Sequence, residues 1–223
     1  LHTFLKRHSP YFFLSLKYFP NIIYTVGKEM SDVIFKNLNY TKNKIKILGS
    51  NKNINTISNE NINEKKSFKN ILLLPESIED EVNIFLKFID LYRNIDSINI
   101  SIKFHPLYPV NNHILKYYKN FITKSKLEDI IKDTDLIIYR GTSTIFELMK
   151  YKVISIYLSV NNELSRDPLF YCNNKFIINL DNIDDLILKI NLLKKDNYLI
   201  DEFNYLRKKM INYYEPINKN NLP

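Results

Sequence analysis

The sequence of 223 residues contains one cysteine, no tryptophan and only three glycines. The single Cys172 excludes an internal disulfide framework and a cysteine-based structural zinc site, so we expect a reducing, cytoplasmic compartment. No apolar run approaches the roughly 20 residues that a membrane-spanning helix needs. The first residues also lack the charged-then-apolar order of a signal peptide. The chain begins with Leu1 rather than Met, from which we expect a fragment of a longer protein.

The charge is unbalanced, with 32 basic against 24 acidic residues and a formal net charge of +8. This excess is compatible with phosphate-bearing ligands, anionic membrane surfaces and nucleic acid. Basic residues are spread along the chain, without an Arg-rich helix, zinc-finger spacing or an aromatic nucleic-acid motif. We therefore expect no nucleic-acid partner.

Short apolar segments alternate with segments of helical spacing along most of the chain. The pattern predicts strands at 22–26, 44–48, 70–75, 98–104, 136–139, 153–158 and 176–178, and helices at 31–38, 78–92, 110–122, 127–131, 143–150 and 183–193. Such alternation is typical of a parallel sheet with right-handed crossovers. The predicted fold is α/β, a Rossmann-like parallel sheet with helices on both faces, preceded by the tail of a second α/β domain.

A polar segment divides the chain. Residues 51–69 are rich in Asn, Lys, Glu and Ser and have too little apolar surface for a core, which predicts a linker. Residues 1–50 are then the C-terminal remnant of an N-terminal domain, and residues 70–200 the main α/β domain. Residues 201–223 form a C-terminal helix and tail.

Ligands of open parallel sheets bind beyond the carboxyl ends of the strands, so the residues that follow each strand are candidates. Four corners contain polar or turn-forming residues. They are Glu76-Ser77, Lys103-Phe104-His105-Pro106, Arg140-Gly141-Thr142-Ser143-Thr144, and the loop 159–168.

Two corners have side chains suited to a phosphate. The imidazole of His105, which Pro106 biases toward extended geometry, can donate to a phosphate oxygen; the alternative is a strand-terminal histidine satisfied by the backbone. Gly141 and the three hydroxyl residues after it precede a helix, where free N–H groups attract anions; the alternative is an ordinary helix cap. Glu147, one turn further on, either reaches back to this corner or braces the turn.

The order of these motifs resembles a known family. Lys103-Phe104-His105-Pro106 followed by Arg140-Gly141-Thr142-Ser143-Thr144-Ile145-Phe146-Glu147 is similar to the C-terminal domain of GT-B glycosyltransferases of bacterial surface carbohydrate and capsule synthesis. The similarity is to the sialyltransferase, polysialyltransferase and Kdo-transferase groups, which have His-Pro and Ser-Ser/Thr motifs. The resemblance implies that His105, Ser143 and Thr144 contact the nucleotide and that Glu147 holds the ribose.

Two further segments enter this comparison. Arg7-His8-Ser9 looks like the His-Ser motif that faces the cleft in such proteins, which implies that His8 acts on the acceptor or on the leaving phosphate; the alternative is an exposed histidine. After the predicted helix at 143–150, Tyr151-Lys152-Val153 departs from the usual Gly-Lys-Pro. This departure bears on the turn after the helix more than on the predicted site residues.

From this resemblance we expect a glycosyltransferase, as a fragment, that uses a nucleotide-activated sugar with CMP among the candidate carriers. The expected acceptor is a bacterial surface polysaccharide or lipooligosaccharide. No cofactor or metal is expected, since no Asp-X-Asp motif follows a strand. Peripheral contact with the anionic inner face of the membrane is a further expected partner. A GT-B-like sugar-nucleotide epimerase and a noncatalytic nucleotide-binding module remain open as alternatives.

Overall fold

The computed structural model describes residues 20–38, 41–51, 68–163, 167–169, 175–182, 184–210 and 213–221. The chain divides into two compact units. The first contains Leu1–Asn59, Phe146–Lys150 and Tyr205–Pro223, and the second contains Glu60–Ile145 and Tyr151–Asn204.

The first unit contains the predicted strand-helix-strand segment. Strand β1 (Ile23–Thr25) leads into helix α1 (Lys28–Leu38), and strand β2 (Ile45–Ile47) pairs with β1 in parallel. Ile23 and Ile45 lie opposite each other in this pair, and both are buried. A short 3₁₀ turn at Lys42–Lys44 precedes β2.

The C-terminal tail belongs to this first unit. The Glu215 backbone N–H donates to Val26 at 2.9 Å, and its carbonyl accepts from Ser50 at 2.8 Å. Its carboxylate accepts the Lys28 N–H at the start of α1 at 2.9 Å, where the helix dipole favours an anion. The tail is therefore fixed to the β1–α1 corner by both its backbone and its side chain.

The second unit is built on a five-stranded sheet in which all neighbouring strands are parallel. The strands run in the spatial order β4-β3-β5-β6-β7. Their bounds are β3 (Asn70–Leu74), β4 (Asn99–Ile102), β5 (Leu136–Tyr139), β6 (Ile154–Ser159) and β7 (Ile177–Asn179). This arrangement confirms the predicted α/β parallel sheet.

The helices lie close to their predicted positions. They are α2 (Glu79–Tyr92), α3 (Asn112–Tyr118), α4 (Leu127–Ile130), α5 (Thr144–Leu148), α6 (Asp185–Lys195) and α7 (Asn197–Met210). The helix predicted at 110–122 is shorter because the Asn111 side chain caps it at Ile114, with a bond of 2.9 Å, and because Lys119–Phe121 continues as a 3₁₀ turn. The described residues include no helix long and apolar enough to cross a membrane.

The central strands are covered on both faces. Ile71, Leu72 and Leu73 of β3 are at most 1% exposed, as are all four residues of β5. Helix α2 presents Phe85 and Phe88 to this core, each 0% exposed, and each such burial contributes about 1.5–3 kcal/mol. The continuous apolar runs of β3 and β5 thus reflect strands buried on both sides.

Candidate functional site

The strands of the second unit end at one edge of the sheet because all of them are parallel. The predicted corners after β3, β4, β5 and β6 therefore lie along this edge in the order of the strands. Strand β3 lies between β4 and β5, so the corners that follow β4 and β5 are two strand spacings apart, or about 10 Å.

Glu76 and Gly141 meet at the centre of this edge. Gly141 has φ +59°, a left-handed conformation that side chains disfavour. A Cβ on Gly141 would lie 2.6 and 2.7 Å from the two carboxylate oxygens of Glu76. The corner after β5 therefore needs glycine for two reasons, and the Glu76 carboxylate lies directly against its backbone.

Arg140, predicted as a nucleotide contact, lies in the interior at 1% exposure. Its Nε and Nη2 donate to the Glu81 carboxylate at 2.6 and 3.2 Å, and Nη2 also donates to Glu163 at 2.5 Å. Nη1 donates to the Leu158 carbonyl at 2.8 Å, and the guanidinium lies 5.7 Å from the centre of the Tyr157 ring. The guanidinium thus joins the end of β5 to α2, to the end of β6 and to the loop after it.

The electrostatics of this cluster favour charged Arg140. Burial by itself lowers the pKa of the guanidinium, but the hydrogen bonds to Glu81 and Glu163 and the charges of Glu81 and Tyr157 together outweigh it, and the net direction is upward. The Glu81 side chain is 2% exposed and that of Glu163 is 41% exposed. The inner pair is therefore shielded from water, whereas the outer carboxylate remains partly solvated.

The hydroxyl residues after Gly141 form a tight turn. The Thr142 N–H donates to the Arg140 carbonyl at 2.6 Å, and the Thr142 hydroxyl accepts the Thr144 N–H at 3.3 Å. Ser143 is half-buried, and within the part of the chain that the structure describes neither its hydroxyl nor its amide has a hydrogen-bond partner. Thr142 therefore stabilises the turn, and Ser143 can interact with a ligand.

His105 has a defined tautomer. Its Nδ1 accepts the Leu107 N–H at 3.2 Å, and its carbonyl accepts the Tyr108 N–H at 2.9 Å. Since Nδ1 is an acceptor, the neutral ring carries its proton on Nε2. His105 is half-buried and thus combines a backbone-fixed ring with a donor nitrogen on its other side.

The residues next to His105 in the sequence make contacts of their own. The Lys103 ammonium donates to the Ser125 carbonyl at 2.7 Å, and the Phe104 and Tyr108 rings stack with their centres 5.5 Å apart. Pro106 is exposed, and so is Ser77 at the corner after β3. No hydrogen bond in the described part of the chain joins His105 to the Gly141 corner.

Two predicted site residues do not belong to the described part of the second unit. Glu147 belongs to the first unit, where its charge adds to burial in raising the pKa of Tyr214 to about 12. The Phe146 and Tyr213 rings of the same unit stack at 3.8 Å. His8 lies outside the described residues.

Comparison with known proteins adds information on the fold. The sequence matches no protein-family model and no curated protein. Among solved structures, it is similar to the glycotransferase of kitacinnamycin, with a TM-score of 0.52 and 9% identity over 86% of this chain and 51% of that one. It is also similar to a glycosyltransferase from Rickettsia africae ESF-5 (TM-score 0.49, 15% identity, 92% and 62% covered). A third similar structure is the wall teichoic acid polymerase TagF, as its H444N variant (TM-score 0.45, 13% identity, 89% and 54% covered).

The first of these likenesses shows that the chain shares a fold with that glycotransferase, and this fold contains the predicted parallel α/β sheet. The chain spans about half the length of that structure and of TagF. The finer assignment to sialyltransferase, polysialyltransferase or Kdo-transferase groups stays a prediction.

The sequence patterns did not identify the carboxylates that hold this edge of the sheet together. Glu81 reads as one of three acids in the first turn of a helix, but it is seven residues before Phe88 and in helical phase with the buried face of α2. That spacing was a usable signal. Asp167 accepts the Tyr139 hydroxyl at 2.8 Å and is 3% exposed; no pattern in the local sequence identifies this pair.

Proposed function

We propose that this chain is the nucleotide-sugar-binding part of a glycosyltransferase. The donor is a nucleotide-activated sugar, with a CMP-linked sugar as the first candidate, and the acceptor is a bacterial surface polysaccharide or lipooligosaccharide. The observation that carries the proposal is the set of polar corners at the carboxyl edge of a parallel sheet. A shared fold alone does not assign a reaction, so the argument depends on the side chains at this edge.

The donor phosphate is assigned to the gap between the corners after β4 and β5. The Nε2–H of His105 faces it from one side, and the Ser143 hydroxyl and amide from the other. The two corners are about 10 Å apart, with the Glu76 corner between them, and this spacing suits a group that both corners bind at once. Lys103 adds positive charge next to His105. One of its three N–H groups donates to the Ser125 carbonyl, and the other two are proposed to donate to the phosphate.

Charge at the carboxyl edge of the sheet also constrains where the donor phosphate binds. The Arg140 guanidinium donates hydrogen bonds to two carboxylates and a carbonyl. We therefore assign it to positioning the turn and not to binding phosphate. The Glu76 carboxylate lies at the centre, against Gly141, and repels a phosphate placed directly above it. The proposed phosphate position is therefore displaced toward His105, and Glu76 accepts hydrogen bonds from hydroxyl groups of the donor.

Catalysis follows from charge development on the leaving phosphate. The bond between the anomeric carbon and the phosphate oxygen breaks, and the nucleotide leaves with the electron pair. A bond to the acceptor hydroxyl oxygen forms, and the hydroxyl proton passes to a general base on the acceptor side. Negative charge grows on the phosphate, where fixed donors stabilise the transition state more than the ground state. His105 and Ser143 are the proposed donors. His8 is assigned to the acceptor side and Glu147 to the ribose, and no metal ion takes part.

Nucleotide titration tests the proposal. Calorimetric titration of CMP and UDP into the chain should give saturable binding of at least one of them. The His105→Ala variant should bind about 10- to 100-fold more weakly, because it loses a hydrogen bond to a charged group. His113→Ala is the matched control: His113 is an exposed histidine in the first turn of α3 and is not one of the proposed phosphate contacts, so its loss should leave the affinity unchanged.

Two results would contradict the proposal. One is the absence of saturable binding for any nucleotide tested on a folded chain. The other is an equal loss of affinity in His105→Ala and His113→Ala. Ser143→Ala gives an independent check, since the loss of this neutral donor should weaken binding by about threefold to tenfold without affecting the fold.

A further inference from the structure

A cavity of about 150 Å³ lies at the amino edge of the five-stranded sheet, where the strands begin, opposite the carboxyl edge that carries the candidate site. Phe68 and Lys69, which precede β3, line one side of it, and Ser97 and Ile98, which precede β4, line another. The Asn99 N–H donates to the Lys69 carbonyl at 2.8 Å and holds these two segments together. Two walls of the cavity are therefore fixed to the sheet.

Helix α6 closes the remaining side of the cavity with one of its faces. Its lining residues are Ile187, Ile190, Asn191 and Lys194. Residues three, four and seven positions apart lie on the same face of a helix. This face is apolar at Ile187 and Ile190 and polar toward the C-terminal end of the helix, at Asn191 and Lys194.

The inner lining of the cavity is apolar. Phe68, Ile98 and Ile190 are buried, and Ile187 is half-buried. A cavity of about 150 Å³ with apolar walls is large enough to hold a benzene ring. The interior of this cavity therefore suits an apolar group of about that size.

The outer lining of the cavity is polar and includes two lysines. Lys69, Ser97, Asn191 and Lys194 are all exposed. Among the residues that the structure describes, neither lysine ammonium has a hydrogen-bond or ion-pair partner, and neither do the side chains of Ser97 and Asn191. The carboxylate of Asp135 accepts the backbone N–H of Lys69 at 3.0 Å and leaves its ammonium unpaired. The rim of the cavity thus offers positive charge and hydrogen-bond donors to a ligand.

We propose that this cavity binds a small organic carboxylate whose apolar body is about the size of one aromatic ring. The body packs against Phe68, Ile98 and Ile190, and the carboxylate lies at the rim, where Lys69 and Lys194 supply charge-assisted hydrogen bonds. An inorganic anion gains nothing from the apolar walls, and a neutral ring leaves both ammonium groups without a counter-charge. This inference goes beyond sugar transfer and does not depend on it, because the cavity lies at the opposite edge of the sheet.

Benzoate is the probe that tests the inference. Its titration into the isotope-labelled full chain, followed by amide NMR spectra, should give saturable shifts at Lys69, Ser97 and Asn191 and none at Gly141 on the carboxyl edge. Benzamide, the neutral counterpart of benzoate, should bind about tenfold more weakly, because two exposed ion pairs contribute a factor of up to about five each. Acetate, which has the charge without the ring, should also bind about tenfold more weakly or less.

Two pairs of neighbouring residues on α6 give variants with matched controls. Lys194→Gln should weaken benzoate binding by about threefold to fivefold, whereas Lys195→Gln, at an exposed lysine that does not line the cavity, should leave it unchanged. Asn191→Phe should abolish saturable binding because the new ring occupies the cavity. Leu192→Phe, a change at an exposed position outside the lining, should bind benzoate as the unchanged chain does.

Circular dichroism verifies that each variant is folded. The inference is overturned if benzoate gives no saturable shift at the amides that line the cavity. Binding of benzamide or of inorganic phosphate there as tightly as benzoate would also overturn it. The same holds if the two control variants lose as much affinity as the variants at the lining positions.

Discussion

The carboxylate of Glu76 occupies the space that any side chain at Gly141 would need. Two adjacent strands of the parallel sheet, β3 and β5, end two residues before Glu76 and Gly141, so a charged group from one corner is held against the bare backbone of the other. The contact helps to fix the relative position of two corners of the candidate site.

Gly141→Ala should destabilise the second unit. The new methyl group must displace the carboxylate, and alanine at φ +59° costs about 1–2 kcal/mol by itself. Urea unfolding gives the free energy of unfolding. The same substitution in a Glu76→Ala background should cost less, because only the backbone cost remains. An equal cost in both backgrounds would show that the carboxylate does not hold this space.

Loss of one partner of the Arg140–Glu81 pair should be severe. Glu81→Gln leaves a buried guanidinium without its full counter-charge, and such changes cost about 3–5 kcal/mol. The double replacement Arg140→Met with Glu81→Leu should recover part of this loss, because no buried charge remains. Urea unfolding of the two variants decides the matter, and a double variant less stable than Glu81→Gln would contradict the expected order.

Glu163 should contribute far less than Glu81 to the same guanidinium. Its side chain is 41% exposed, so water screens the attraction and the pair is worth under about 1 kcal/mol. Glu163→Gln should therefore leave the unfolding midpoint nearly unchanged. A loss as large as that of Glu81→Gln would mean that the outer carboxylate is shielded from water after all.

Tyr92 should make the second unit sensitive to alkaline pH. Burial, with Asp185 and Asp184 adding to it, raises the pKa of this phenol from 10 to about 12. Below pH 10 the phenol is protonated in both the folded and the unfolded chain, so its contribution to the free energy of unfolding does not change with pH. Between about pH 10 and 12 the unfolded phenol ionises first, and folding stability falls by up to about 3 kcal/mol.

The Tyr92→Phe variant removes this dependence. The free energy of unfolding that the variant loses relative to the unchanged chain, measured with urea at pH 8 and at pH 11, should be smaller at the higher pH. Tyr205→Phe, a change at a 69% exposed position, is the control for the general effect of alkali on the chain. A Tyr92→Phe disadvantage that is the same at both pH values would refute the assignment.

Much of the fold follows from local patterns. The apolar run at 70–75 predicts a strand covered on both faces, and β3 is buried in this way. The spacing of Val82, Phe85 and Ile89 predicts α2, whose inner face they form. Parallel pairing then follows from the alternation of elements, because crossover helices impose it. The corner positions of His105 and Gly141 are consequences of this topology.

Local patterns were least informative about the partners of polar groups. Arg140 follows a strand beside a glycine, a position that suits a ligand contact, but its partners Glu81 and Glu163 lie 59 and 23 residues away. The grouping of the C-terminal tail with the first unit has the same cause, since Glu215 contacts Lys28 across 187 residues. The pairing of such distant groups depends on the packed chain.

The sequence by itself determined the alternation of strands and helices, the buried strands and the corners at which a ligand would lie, because these depend on residues close together along the chain. Only the tertiary structure decided that Glu76 lies against Gly141 and that a buried ion pair holds Arg140. Contacts of this kind arise when packing excludes water and brings distant residues together, and no local pattern encodes that choice of partner.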